Sequence, residues 1–256
     1  MSNERLTQHY EWRYRGESSM SAVETIRRTE RPGDRFEAAA LHLPELLPEG
    51  AEVLEIGAGT GHVAKTVLER RPDVAGYTLS DISRPRLEGI RNTLDDDRVA
   101  IREMDADDPP AELVGRYDAV ILIALIEHLI DPIGSMRSVR TLLKPGGFVY
   151  VDTPNIARYA KRLQLLRGRF PSTGSRNEGL TTFGGEPADL YDEGHFHYFT
   201  FRSLGLMLTD FCGYERVRKL PYAGGVKPLG VGVHDVLAKA WPGMFSELLL
   251  VAHAPR

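Results

Sequence analysis

The stretch VLEIGAGTG, residues 53–61, restricts the possible folds more than any other part of this chain. A short apolar run carrying one acid, Glu55, breaks on three glycines spaced two apart. A buried strand that turns sharply into a helix needs residues without side chains at the bend. The helix beyond offers unpaired N–H groups to an anionic or polar ligand. Gly57, Ala58, Gly59 and Gly61 are placed to let such a ligand approach the backbone. A dinucleotide fingerprint needs G-x-G-x-x-G. Here the third glycine comes one residue early and His62 holds the dinucleotide position. That spacing opposes a dinucleotide oxidoreductase.

Strand and helix signals alternate around this turn. AEVLEI (51–56) reads as a strand, HVAKTVLERR as a helix, DVAGYTLS as a second strand and ISRPRLEGIRNTL as a second helix. RVAIREM and YDAVILIAL follow as strands three and four, the latter the most apolar. Asp131-Pro132 is a helix start, with a capping carboxylate and a proline at the first helical position. That helix should stop at Lys144-Pro145-Gly146-Gly147 and lead into FVYVDTP as strand five. Upstream, Pro32-Gly33-Asp34 should start a helix capped by Asp34.

Downstream, residues 155–167 read as a basic amphipathic helix, and 168–194 as a long irregular segment of the kind that serves as a lid. Thr200 can cap a helix through Phe211; GYERVRKL and SELLLVAHA read as the last two strands. The expected fold is α/β. It is a Rossmann-like sheet of seven mostly parallel strands, with helices on both faces and an insertion after strand five.

Composition narrows the class. With 42% apolar and 27% charged residues the chain is an ordinary globule, and its net charge of −4 opposes nucleic acid as a partner. One cysteine, Cys212, excludes an internal disulfide and fits a reducing compartment. The polar N-terminus does not read as a secretory signal, and no apolar run approaches the roughly 20 residues that span a bilayer. A cytoplasmic protein without stable membrane insertion is expected; the sequence carries no signal for an oligomeric state.

The acid plus G-x-G-x-G, Glu55 to Gly61, resembles the first motif of the class I S-adenosylmethionine (SAM)-dependent methyltransferases. The resemblance implies SAM as cofactor and S-adenosylhomocysteine (SAH) as product. It implies that Asp81, beside Ile82, grips the ribose hydroxyls, a charge-assisted pairing. It places Asp105 and Ala106 near the adenine, with Ile123 lining the cofactor where strand four ends. Tyr117-Asp118 and Leu143 to Gly147 match further motifs. The resemblance covers residues 50–153 strongly. It divides the chain into an N-terminal cap, 1–33, and a methyltransferase domain, 34–256, in which 154–200 form the substrate lid. Tyr10, Trp12 and Tyr14 are read as a cover over the cofactor or as packing residues.

In an open parallel sheet, ligands bind beyond the C-terminal ends of the strands. Glu127 and His128 follow strand four and should therefore face the transferred methyl. An alcohol acceptor must lose a proton, and a neutral histidine suits that task. His128 and His195 are the candidate bases, with Glu127 to orient or polarise them; His197 is read as structural. The same region resembles small-RNA 2′-O-methyltransferases and ubiquinone-pathway O-methyltransferases, in which E-x-x-E-H and a distal histidine hold a divalent metal. Glu127, His128 and His195 fall on three ligand positions, while Ala124 replaces the first glutamate. That loss removes a hard oxygen ligand, so the reading is metal-free, with a metal-assisted reaction as the alternative.

The basic helix and HFHYFT also resemble methyltransferases of sugar and polysaccharide biosynthesis. The expected partner is a small-molecule acceptor, a sugar or natural-product hydroxyl, with an amino-sugar amine as runner-up. Arg158, Lys161, Arg162, Arg167 and Arg169 are read as a solvated face, with phosphate contact as the alternative.

Overall fold

The computed structural model describes residues 3–16, 23–174, 178–179, 191–225, 227 and 229–256. Helix α1 (Asn3–Arg13) precedes α2 (Arg35–Leu46), whose cap Asp34 accepts from the N–H groups of Phe36 and Glu37 as its sequence requires. Then β1 (Glu52–Ile56), α3 (His62–Arg70), β2 (Gly76–Asp81), α4 (Arg84–Thr93), β3 (Val99–Glu103) and β4 (Tyr117–Ile123) alternate. Next come α5 (Pro132–Leu142), β5 (Leu143–Thr153) and α6 (Tyr159–Leu166). Helix α7 (Phe201–Leu206) is prolonged by a wider π turn through Phe211, and β6 (Glu215–Lys219), α8 (Val231–Ala240), α9 (Pro242–Phe245) and β7 (Leu248–His253) complete the order.

The seven strands form one sheet in the order β3-β2-β1-β4-β5-β7-β6. Pairs among the first five are parallel, and β7 runs antiparallel to both neighbours. The strand order reverses beside β1, so β1 and β4 flank the crevice where such sheets bind ligands. Period-two alternation sorts the side chains to two faces. Leu54, Ile56, Val120, Leu122, Val149 and Val151 pack on one side with α5 and α7. Val53, Ala119, Ile121, Phe148 and Tyr150 pack on the other with α2, α3 and α4. The residues from Ala119 to Leu122 have no exposed surface, and full burial contributes about 1.5–3 kcal/mol for each large apolar side chain.

Two expectations need correction. Strand four stops at Ile123, because Ala124 turns to a left-handed φ of 50°. The helix expected over 155–167 begins only at Tyr159, because Asn155 anchors the chain before it. The Asn155 side chain donates to the Ser246 carbonyl (2.9 Å) and accepts from the Ala157 N–H (2.9 Å). Helix α8 went unread: it buries His234, Asp235 and Ala238 while exposing Val231, Val233 and Val236, which inverts the amphipathic signal. Most of the irregular segment 168–194 lies outside the described residues. Among the described residues no helix is long and apolar enough to cross a membrane.

Candidate active site

The glycine turn is the floor of a cavity of about 370 Å³, within the roughly 300–1,000 Å³ range of small-molecule sites. Gly57, Gly59 and Gly61 all take positive φ (71°, 55° and 80°). The positive φ favours glycine at Gly57, and a Cβ there would meet the Leu125 side chain closely, at 3.1 Å. The turn is pinned to β2. The Ala58 N–H donates to the Ser80 carbonyl (2.9 Å), and the Gly59 N–H reaches an Asp81 carboxylate oxygen at 3.3 Å. The other Asp81 oxygen accepts from the Ser83 N–H (2.9 Å). The Arg86 guanidinium also stands 3.8 Å from Asp81, on the cavity wall.

Glu55 is buried and accepts from the Tyr77 hydroxyl at 2.7 Å. Burial pushes its carboxyl up to about 8; the Tyr77 bond opposes this and nearby Asp81 adds to it. A ligand cation beside it would restore the carboxylate. Farther along the wall, Asp105 and Ala106 follow β3, while Ile123, Ala124 and Leu125 come from the end of β4.

Beyond Ile123 the chain makes a single 3₁₀ turn, Ile126–His128. Glu127 is 1% exposed; one oxygen accepts from the Thr153 hydroxyl (2.8 Å), while Oε1 has no hydrogen-bond partner among the described residues. Its backbone carbonyl accepts from the N–H groups of Phe196 (2.8 Å) and His197 (3.2 Å), which fastens the distal segment to this turn. His195 thereby comes against His128, with ring centroids 4.6 Å apart at 86°. Ligand atoms of Glu127, His128 and His195 all lie within 4.8 Å of one another.

Nδ1 of His128 is 3.0 Å from the Gly194 carbonyl, which can only accept, so Nδ1 carries the proton and Nε2 the lone pair. Nδ1 of His195 lies 2.6 Å from the Thr173 hydroxyl. Burial first, and the neighbouring His195 second, push His128 down to about 3; burial pushes His195 down to about 4. Both rings are neutral at ordinary pH. Burial raises Glu127 to about 7, with the nearby Arg35 acting against it.

Helix α1 lies across this arrangement. The Tyr10 hydroxyl is 2.9 Å from Nδ1 of His128, and Arg13 pairs with Glu193 at 3.1 Å. Tyr14 stacks on Tyr10, and the Arg86 guanidinium sits 3.3 Å over its ring centroid. Tyr10 and Tyr14 thus line the cavity; Trp12 does not. Asp192, just before the histidine segment, is held by Ser172, Thr173, Gly174 and Tyr198. Burial alone would raise its carboxyl, but these hydrogen bonds outweigh it and hold it down to about 2.

A sequence model described as a methyltransferase domain matches residues 27–215, which is most of the chain. The chain belongs to the SAM-dependent methyltransferase family. The ubiquinone biosynthesis O-methyltransferase of Xanthomonas axonopodis pv. citri is 27% identical over 180 residues, 66% of this chain and 67% of that protein. Its counterpart in Bordetella avium is 31% identical over 109 residues, 42% of this chain and 44% of that protein. This methyltransferase therefore aligns with less than half of the length of the latter relative. Among solved structures, a SAM-dependent methyltransferase from Mesorhizobium loti superposes with a TM-score of 0.56 at 18% identity, covering 84% of this chain and 97% of that one. The trans-methyltransferase CalH in complex with SAH superposes with a TM-score of 0.52 at 21% identity, covering 95% of this chain and 58% of that one. These structural likenesses bear on the fold.

In this methyltransferase, the cavity wall gathers Glu55, Gly57, Ala58, Gly59, Asp81, Ile82, Asp105, Ala106, Ile123 and His128 from the residues singled out in the sequence. Gly61 stays outside the wall as the left-handed start of α3, where a Cβ would meet Ile90 at 3.6 Å. Glu127 and His195 lie outside the wall, in the cluster beside it. His197 is not a member of that cluster, and its ring packs on Phe199. Asp118 and Lys144, both from the matched motifs, pair at 2.7 Å, and Asp118 also accepts from the Glu52 N–H, so they serve the sheet. Sequence reasoning missed Arg86 and Asp107 on the wall and Arg35 beside the cluster. Arg86 stands five residues after Asp81, on the first turn of the helix that follows it; no comparable signal marked Arg35.

Proposed function

We propose that this methyltransferase transfers the SAM methyl group to a hydroxyl of a small polar acceptor. The observation that carries this reading is the cluster of buried Glu127 with half-buried His128 and His195 at the edge of the glycine-floored cavity. In this reading Gly57, Ala58 and Gly59 seat the methionine part of SAM. Glu55 answers its ammonium, Asp81 takes the ribose hydroxyls, and Asp105 and Ala106 meet the adenine. The set fits the donor: bare backbone where it must come close, and carboxylates where it offers donors or positive charge. Residues 1–33 act as the cap and 154–200 as the acceptor lid. The name shared by the ubiquinone biosynthesis O-methyltransferase relatives brings a hydroxyl of a ubiquinone-biosynthesis compound into the acceptor class beside sugar and natural-product hydroxyls.

The acceptor oxygen attacks the methyl carbon as the sulfonium leaves as a neutral thioether, and the hydroxyl proton passes to a histidine. The leaving group is already activated, so alignment supplies much of the acceleration. Both rings are neutral and carry a lone pair, but burial makes them weak proton acceptors, so the transfer depends on Glu127. Glu127 beside them, as its carboxylate, stabilises the imidazolium that forms.

A second reading rests on the same cluster. Two neutral imidazoles and a carboxylate with one oxygen unpartnered among the described residues fit a divalent transition ion. Glu127, His128 and His195 would hold it, and it would lower the pKa of an acceptor hydroxyl. SAH release over a panel of catechols, sugars and amino sugars, with and without chelator, tests both readings. Turnover of hydroxyl acceptors supports the first, and its loss on chelation moves the assignment to the second. Turnover of amines alone, surviving His195→Gln, would overturn O-methylation.

A further inference from the structure

A second cavity, of about 260 Å³, shares no lining residue with the first. Arg35, Arg158, Lys161, Thr173 and Glu247 stand around it, together with the start of α6. It adjoins the cluster from the other side. Thr173 holds His195 at 2.6 Å, and Thr153, one residue before the wall at Pro154, holds Glu127 at 2.8 Å. His128 belongs to the first cavity and His195 touches the wall of the second.

The charges in this second cavity are not balanced. Arg158 is matched by Glu247, and Arg35 approaches buried Asp152 at 3.6 Å. Lys161 donates to the Ser172 carbonyl and, among the described residues, forms no ion pair with a carboxylate. It is half-buried, and burial lowers its pKa even with Glu247 and Asp192 in its vicinity. Holding an ammonium there against a neutral partner costs stability that a bound anion would offset. Helix α6 adds to the field. Its N-terminal residues Tyr159, Ala160 and Lys161 line the cavity, which brings the positive end of the helix to it.

We propose that this cavity binds an oxyanion carried by the acceptor, a carboxylate or a phosphate, and thereby sets the reacting hydroxyl at the Glu127–His128–His195 cluster. The proposal deepens the methyl-transfer reading and rests on it. Of the basic residues grouped in the sequence, only Arg158 and Lys161 take part. Arg162 bonds the Ala157 carbonyl and Arg169 pairs with Glu178. Arg35, from a distant helix, completes the set.

The test is calorimetry on the full chain with inorganic phosphate and with benzoate, against a chloride background, using wild type and Lys161→Met. SAH is titrated into both proteins. Binding of either anion should weaken by about tenfold or more in Lys161→Met, as expected for a lost charge-assisted contact. SAH affinity should stay within about twofold, which also shows that the variant is folded. Lys161→Gln provides a second variant with the same expectation. Tighter phosphate binding assigns a phosphoryl-bearing acceptor, and tighter benzoate binding a carboxylate-bearing one. No anion binding, or equal binding to wild type and variants, overturns the proposal. Failure of SAH itself to bind wild type would instead sink the methyltransferase reading.

Discussion

The floor of the first cavity comes mainly from the adjacent parallel strands β1 to β4 and the turns that leave them, so its residues are close in sequence and many contacts are backbone. The Glu127–His128–His195 cluster and the second cavity draw on the end of β4, α2, the start of α6, Thr173 and the 191–199 segment. A site cut from one repeating βαβ block leaves a short readable signature. A site assembled from scattered segments leaves single residues whose meaning depends on which neighbours the fold delivers.

That contrast can be broken by mutation. The largest effect is expected from His195→Gln. Catalytic turnover should fall about 10²–10⁴-fold, the range of a lost general base, while SAH affinity changes little. Pre-steady-state turnover with calorimetry checks this; a parallel loss of SAH binding would mean that the two regions are not separable. Asp81→Ala should show the converse. SAH binding should weaken roughly a hundredfold, with anion binding in the second cavity unchanged.

Next comes pH. Burial raises the folded pKa of Glu55 to about 8 from an ordinary 4.5, so its contribution to stability is full below about pH 4.5 and is lost as pH rises through 8. Between pH 6 and 9 the ligand-free protein should lose on the order of 2 kcal/mol through this group. Glu55→Gln should flatten that limb in denaturant titrations. The histidines act oppositely. Their depressed pKa values remove stability as pH falls from the ordinary 6.5 towards 4 and 3. Tyr10→Phe removes the bond to His128 and should cost about 1 kcal/mol, visible as a thermal shift of roughly 2–4 °C. The smallest change is expected from Ala124→Gly. It relieves a positive φ but loosens the unfolded chain, for a net gain of about 0.5 kcal/mol by chemical denaturation.

The sequence made the sheet legible because β1, β4 and β5 are apolar runs bounded by glycine, proline and capping aspartate. It made the donor wall legible because the glycine spacing and the acids ending β2 and β3 are local features. For the opposite reason, Arg35 carries no such signal, and Lys161 is readable only as one of five basic residues with phosphate contact as the alternative reading. Each is an unremarkable basic residue on a helix until Thr153, Asn155 and Ser172 fix the chain around them. Helix α8 hid because it packs polar residues inward. Glu127 and His128 were readable as candidates, yet their partners Tyr10 and Gly194 lie 118 and 66 residues from His128.

In β1, Val53 and Leu54 point to opposite cores, and Glu55 occupies the next place on Val53's side. Adding or deleting one amino acid in this five-residue segment would exchange the two linings and swing the acid through the sheet. Its length is therefore locked on both sides at once, while a surface connection has no comparable bookkeeping to satisfy. Engineering for a new acceptor should accordingly vary the loops and leave the first strand's residue count untouched.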